Sequence, residues 1–469
     1  MSGDSIENNE NNASVLFAGA SKSDITPSKG TLVGVDFLSH YARFINDTLY
    51  AKALVLKQGH TIFVLVMVDI CIMPSDFLSH VKTKITKATG IKKEQITLAC
   101  THTHGAGDVA GLLGGAVDIA YRNKLPDLIV KSVVQALSKL RPAKVASGSG
   151  SLSGYSLCRR YLMKEGFEAR NPVTQQLDTI KTNPFGAEDQ IIASAAPVDP
   201  EVCFMAIKGL DNQWIAILGN YCSHYAGDWD VDTITADFYG TFAKHLKKML
   251  SANDDFVGIM SYGTGADVNT WNFQNSDKLP KEEFAKTEIM GRDLARTIHE
   301  STDSLEWIDT AELKIAYDEL QLPIRKPDKS ELDEAETKLN KHKLDNLELD
   351  EHGIAMIYAR EQLLLNEYPE NHTASLQALK IGNQIIGMSG GELFTETGTW
   401  LKNAIQGHNY FTICLANTYD GYVPPENELE KGGYETWRAR SSFLDGSAER
   451  KLKNSLVELI QKLVSDAKG

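Results

Sequence analysis

The chain has 469 residues, 42% hydrophobic and 23% charged, so it carries enough apolar surface for a large folded core and is neither disordered nor fibrous overall. Its net charge of −14 excludes a general nucleic-acid binder, because phosphate contacts need clustered cations. No apolar run approaches about 18 residues, which excludes a transmembrane helix.

Residues 1–13 are acidic and Asn-rich and read as a disordered tail. The first fourteen residues have neither a cationic region nor an apolar one, so no signal peptide is expected and the expected location is cytoplasmic. Two Val/Leu/Ile-rich runs, 49–57 and 61–70, are joined by Gly59-His60 and predict a hairpin. Pro74 opens a helix that runs to about Ala88 and stops at Gly90. Residues 96–100 are a short buried strand and 126–140 a helix. Further on, 214–222 reads as strand, 238–250 as helix, 256–261 as strand and 281–299 as helix. The segment 329–365 is dense in Asp, Glu and Lys with apolar residues at helical spacing; it predicts two charged surface helices broken near Gly353. Strands at 376–380 and 384–388 flank the turn Gly382-Asn383, and an amphipathic helix covers about 448–467. This rhythm predicts an α/β fold of mixed β-sheets flanked by helices, with a charged helical insert at 329–365. No Gly- or Ser-rich linker divides the chain and no short-period repeat is visible, so 14–469 is expected to be a single catalytic domain. None of the six cysteines forms a CxxC pair; most lie beside apolar runs and read as buried thiols rather than a disulfide framework or a thiolate zinc site.

The sharpest chemical signal is Thr101-His102-Thr103-His104-Gly105, directly after the run 96–100. Side chains alternate along a strand, so both histidines are expected on one face at its C-terminal end, where α/β folds place ligands. Either both imidazoles face one metal, or one binds metal while the other acts on substrate, or the two are only polar residues leaving a strand for a loop. His224 ends the run 214–222; a lone histidine there is commonly structural, but beside His102 it becomes a second nitrogen ligand. Glu392 follows the apolar run Ile385-Ile386-Gly387-Met388 through Ser389-Gly390-Gly391. It is open to two readings, a metal ligand or a carboxylate that stabilises the N-terminus of the next helix. The loop Ser261-Tyr262-Gly263-Thr264-Gly265-Ala266-Asp267-Val268-Asn269 lacks the Gly-Lys-Ser/Thr ending of a phosphate loop. Two histidines and a carboxylate suffice for a catalytic zinc with an open position, and amide or ester hydrolysis is the natural reaction class.

As a set, these residues resemble the neutral/alkaline non-lysosomal ceramidase family, in its N-terminal catalytic domain. The resemblance runs in matching order through Ala18-Gly19-Ala20, Asp24-Ile25-Thr26-Pro27, Asp47 to Ala53, the strand ending at Asp69, Thr101-His102-Thr103-His104, Thr235-Ala236-Asp237-Phe238-Tyr239-Gly240, Gly391-Glu392 and Asn417-Thr418-Tyr419 to Tyr422. It implies one zinc per chain, held by His102, His224, Glu392 and Tyr422. It also implies catalytic roles for His104 and Tyr434, and a substrate-binding arginine at Arg159 or its neighbour Arg160. Asn269 stands where the family carries serine and is expected to bind substrate by hydrogen bonding alone. The expected activity is a zinc-dependent hydrolysis of an amide (N-acyl) bond in a small molecule, either ceramide or a soluble compound such as an acylated sugar. A zinc lyase or isomerase acting on a sugar or sugar acid, and a non-catalytic binding protein, are the competing expectations. The charged insert is expected to roof the pocket.

Overall fold

The computed structural model describes residues 15–33, 37–275, 280, 282–341 and 347–465, so the expected tail at 1–13 lies outside the described residues. Its principal elements follow one order three times. The first unit comprises β1 (Leu16–Asp24), β2 (Tyr50–Gln58), β3 (Thr61–Val68), α1 (Ser75–Thr89), β4 (Ile96–Cys100) and α2 (Ile119–Ser138). The second comprises β5 (Arg141–Ser151), β6 (Glu201–Gly209), β7 (Trp214–Tyr221), α3 (Asp237–Met249), β8 (Val257–Tyr262) and α4 (Ala285–Ser301). The third opens with β9 (Leu313–Pro323) and then inserts α5 (Lys329–Lys341) and α6 (Glu351–Asn366). It continues with β10 (Asn371–Ile381), β11 (Gln384–Ser389), α7 (Thr395–Ala404), β12 (Asn409–Ile413) and α8 (Ala448–Ser465).

Within each unit the first three strands pair antiparallel, and the fourth joins the third in parallel. A parallel neighbour requires a crossover, which α1, α3 and α7 supply. The first two units share one sheet, ordered β8-β7-β6-β5-β1-β2-β3-β4, and the third forms its own, β9-β10-β11-β12. The seam inside the large sheet is short: Phe17 pairs with Pro142 and Ala18 with Arg141.

Strand alternation sorts the core. Phe63, Leu65 and Met67 face inward, to an apolar centre shared with Met205, Ile207 and Leu218 of the second unit and Leu379, Ile386, Met388 and Ile413 of the third. Val64, Val66 and Val68 face outward under Val81 and Ile85 of α1 and Ile129 and Val133 of α2. Phe242 of α3 and Met290 and Leu294 of α4 cover the second unit in the same way, against Phe204 and Met260. Leu452, Leu456 and Leu459 of α8 are its buried stripe, at helical spacing.

The three parallel pairs end alike. Thr101 N–H donates to the Val68 carbonyl, Gly263 N–H to that of Tyr221, and Ala416 N–H to that of Ser389, each at 3.0 Å. The fourth strands then meet each other: Asn417 N–H donates to Leu98 O (2.8 Å) and Cys414 N–H to Tyr262 O (3.0 Å). The carboxyl ends of all three units therefore open onto one place.

Several expected boundaries move. The helix expected from 126 begins at Ile119, because the Asp118 carboxylate caps Tyr121 N–H, and Pro126 lies within it. The break in the insert lies before Glu351 rather than at Gly353, whose N–H donates to the capping Asp350 carboxylate within α6. That helix is not a solvated face: Met356, Ile357, Tyr358 and Leu365 are buried. All six cysteines are buried and none is in a disulfide. Among the described residues, no helix is long and apolar enough to cross a membrane.

Candidate metal centre

β4 ends at Cys100, and His102 adopts φ 71°, a left-handed conformation that a residue with a Cβ enters at a cost of about 1–2 kcal/mol. Plain strand alternation is therefore not what brings His102 and His104 together. The chain turns at His102, and the two rings meet edge to face with centroids 5.0 Å apart. His102 Nδ1 lies 3.0 Å from the Cys71 carbonyl, just past β3, and His224 Nδ1 lies 2.8 Å from the Gly265 carbonyl, just past β8. A carbonyl can only accept, so each Nδ1 carries the proton and each Nε2 keeps its lone pair, the arrangement common to metal-ligating histidines.

Glu392 reaches the same place from the end of β11. A two-residue parallel bridge pairs Glu392 with Tyr422 and Leu393 with Val423. Glu392 Oε2 lies 3.5 Å from His102 Nε2 and 3.8 Å from His224 Nε2. One ligand atom from each of His102, His224 and Glu392 falls within 4.8 Å of the others; Cys71, His102 and His104 form a second such group. His102 Nε2 is buried with no hydrogen-bond partner, as is His104 Nε2. Burial pulls His102 down to about 4 and holds His104 and His224 well below the ordinary histidine value, with neighbouring positive charge adding to the effect. All three imidazoles are thus neutral at pH 7. Burial also pushes the Glu392 carboxyl up to about 7, against the pull of Arg159 and of the Tyr422 and Tyr262 hydroxyls. The orphaned His102 nitrogen and a carboxyl with no Lys or Arg in ion-pair contact among the described residues fit a divalent ion, for which His224 Nε2 would give up its contact with Arg159 NH1.

Of the two neighbouring arginines, Arg159 faces the cleft. Its Nε donates to Glu435 Oε1 (2.7 Å), its NH2 to Tyr422 Oη (3.2 Å), and its NH1 faces His224 Nε2 (3.1 Å). Arg160 turns away, to Glu435 Oε2 (2.7 Å) and Glu428 Oε2 (3.0 Å). The Tyr434 ring packs edge-on against Tyr422 at 5.6 Å. Part of this set opens into a cleft of about 1040 Å³, at the upper end of the size of small-molecule sites. His104, Arg159, His224, Tyr422 and Tyr434 line it, and residues 349–352 of the insert form part of its wall. Asn269 is not among the lining residues. Its Nδ2 donates to Asn183 Oδ1 (2.7 Å), so it stands behind a lining residue. A second cavity of about 770 Å³, beside Lys22, Lys52 and Lys247, contains none of these groups.

Glu435, Tyr225 and Asn183 also touch these residues and carry no signal in the sequence, while Tyr262 stands there only as a member of the loop 261–269. Tyr262 stacks on His102 at 4.8 Å, and its hydroxyl lies 3.3 Å from His224 Nδ1 and 3.5 Å from Glu392 Oε2. Its one sequence signal is its place at the end of β8, before the Gly-rich loop.

No protein-family model matches the chain, and no curated protein does. Among solved structures, the neutral ceramidase from Pseudomonas aeruginosa superposes with a TM-score of 0.70, at 16% identity, over 95% of this chain and 74% of its own. A structure described as ceramidase complexed with C2 superposes at 0.68, also at 16% identity and over 95% and 74% of the two chains. This chain has the neutral ceramidase fold. The mixed sheets flanked by helices expected from the sequence are those of that fold. Within the ceramidase fold, the ends of β3, β4, β7, β8 and β11 carry the groups just described.

Proposed function

We propose that the chain is a zinc-dependent hydrolase that cleaves the amide (N-acyl) bond of a small-molecule substrate. The observation that carries this reading is the convergence of His102, His224 and Glu392 from three structural units, with His102 Nε2 buried and unpartnered. Two neutral imidazoles, a carboxylate and the Tyr422 phenol are a donor set suited to one zinc ion. Bound there, zinc would polarise a carbonyl and bring the pKa of a water toward about 7.

The chain's own residues supply the rest. His104 is neutral, its ring is held by stacking on Tyr225 at 4.0 Å, and its Nε2 has no partner. It is therefore placed to accept a proton from the attacking water and return it to the leaving amine. Arg159 and Tyr434 present N–H and O–H donors on the cleft wall for the developing oxyanion. Glu435 clamps Arg159, so that the guanidinium does not have to reorganise during the reaction. The two structural neighbours are ceramidases, which supports an N-acyl substrate; ceramide and soluble N-acyl compounds are both within this class.

The test is a product analysis over a panel of N-acyl lipids, amino acids and sugars. Hydrolysis yields an acid and an amine whose summed mass exceeds the substrate by one water. A product of unchanged mass would instead show an isomerase, and two fragments without added water a lyase. His104→Ala is expected to keep its metal and lose about 100-fold or more in kcat. Full activity in that variant would remove His104 from the mechanism.

A further inference from the structure

The wall of the cleft that continues from Arg159 carries donors whose partners are missing. We infer that the substrate bears a carboxylate, bound by Lys181 and Asn183 on this wall while the N-acyl bond lies at the metal centre. The inference rests on the hydrolase reading for the reaction, and names the class of compound it acts on.

Lys181 lies on the short strand Ile180–Thr182, whose outer residues are buried and whose middle residue is half-exposed. Thr182 Oγ1 turns inward to Glu435 Oε2 (2.7 Å), the carboxylate that clamps Arg159. Lys181 and, past the strand end, Asn183 line the cleft together with Thr182. Among the described residues no acid lies within ion-pair distance of the Lys181 ammonium. Asp178 acts on it only at longer range, and its Oδ2 already accepts Trp437 Nε1–H (2.7 Å).

Asn183 is fixed twice. Its backbone sits at φ 47°, a conformation asparagine tolerates better than most residues, and its N–H donates to the Arg159 carbonyl (2.8 Å). Its side chain is oriented by a relay. Trp271 N–H can only donate, so it assigns Oδ1 of Asn269 (2.9 Å); Asn269 then donates through Nδ2 to Asn183 Oδ1 (2.7 Å). Asn183 Nδ2 is left as an unclaimed donor. Asn269, where the resemblance places a serine, thus acts by aiming Asn183.

The rest of the cleft agrees. Glu168 on the same wall is taken up by Arg170 (2.6 Å). Asp350 and Glu351, on the insert, are acidic, so a carboxylate is favoured on one side of the cleft and repelled on the other. An alkyl chain laid on Lys181 and Asn183 would strip them of water and return no hydrogen bond.

The experiment uses the full metal-loaded chain and a matched pair of probes, an N-acyl amino acid and its neutral carboxamide. Turnover and calorimetric binding are measured for the unaltered chain, Lys181→Met and Asn183→Asp. Methionine keeps the apolar stem of the lysine; aspartate keeps the acceptor for Asn269 and turns the donor into an acceptor. The carboxylate probe is expected to bind about tenfold or more tighter than the neutral one, with kcat/KM in the same ratio. Either substitution is expected to bring both ratios close to unity. A carboxylate preference in binding that vanishes in both variants, with neither probe cleaved, would support the inference and count against the hydrolase reading alone. Equal binding of the two probes, or a preference that survives both substitutions, would overturn the inference.

Discussion

A buried carboxyl in the loop beneath the site makes a prediction about pH. Asp267 Oδ1 accepts the Thr395 N–H (2.8 Å) and hydroxyl (2.9 Å), while Oδ2 is buried without a partner. Burial pushes its pKa up to about 6. In the unfolded chain the same group gives up its proton near pH 4. Between about pH 4 and 6 the unfolded state therefore binds fewer protons than the native state, and stability falls as pH rises through that window. Asp267→Asn keeps the Oδ1 bonds and removes the titration. Its unfolding free energy, from denaturant titrations, is expected to lose that decline and to exceed the unaltered chain's at pH 7 by on the order of 3 kcal/mol. A decline unchanged in the variant would assign it to other groups. Glu435 is a second case: fully buried, it faces Arg159 and Arg160 at 2.7 Å each. Glu435→Gln leaves two guanidinium groups without their shared counter-charge, and urea denaturation is expected to show a loss of about 3–5 kcal/mol. At this scale the sequence reveals residues that sit at the exit of an apolar run. His102, His224 and Glu392 all do. Tyr262, Glu435 and Asn183 act through partners 38 to 276 residues away in the chain, and no local pattern encodes such a partner.

Helices were more legible than strands. Helix α1 matches its expected span within one residue at each end, since Pro74 and Gly90, the latter at φ 76°, punctuate it. The hairpin at Gly382-Asn383 was readable for the same reason, with Gly382 at φ 56°. Strands β5 and β9 carry no such punctuation or unbroken apolar alternation. β5 (RPAKVASGSGS) is rich in Gly and Ser, and it is a strand because β6 pairs with it along nine residues. β9 exposes much of one face, and its pairing with β10 defines it. Packing between helices depends on a single small residue. A Cβ at Gly291 of α4 would run into Thr241 Oγ1 and lie 2.7 Å from Phe242 N of α3. Gly291→Ala is therefore expected to cost about 1–3 kcal/mol in a denaturant titration, although alanine is the better helix former. A neutral or stabilising result would show that α3 and α4 can separate without penalty.

The molecule as a whole is three copies of one βββαβα order, and no short repeat in the sequence announces it. Each unit keeps its own outer helices, but the inner faces of all three build one apolar centre. A unit on its own would expose that face, so we expect thermal unfolding in one cooperative transition, with calorimetric and van't Hoff enthalpies in agreement. Separate transitions would mean that the units are independent domains. The shared centre is also what makes the site possible. His102 comes from the first unit, His224 from the second and Glu392 from the third, so the fold delivers one ligand from each. The most direct test is elemental analysis of the purified chain beside His102→Ala and His224→Ala, with N-acyl hydrolysis measured on the same samples. The account predicts one equivalent of zinc in the unaltered chain, none above background in either variant, and activity that follows the metal. Full activity in a zinc-free chain, or zinc retained in both variants, would contradict it.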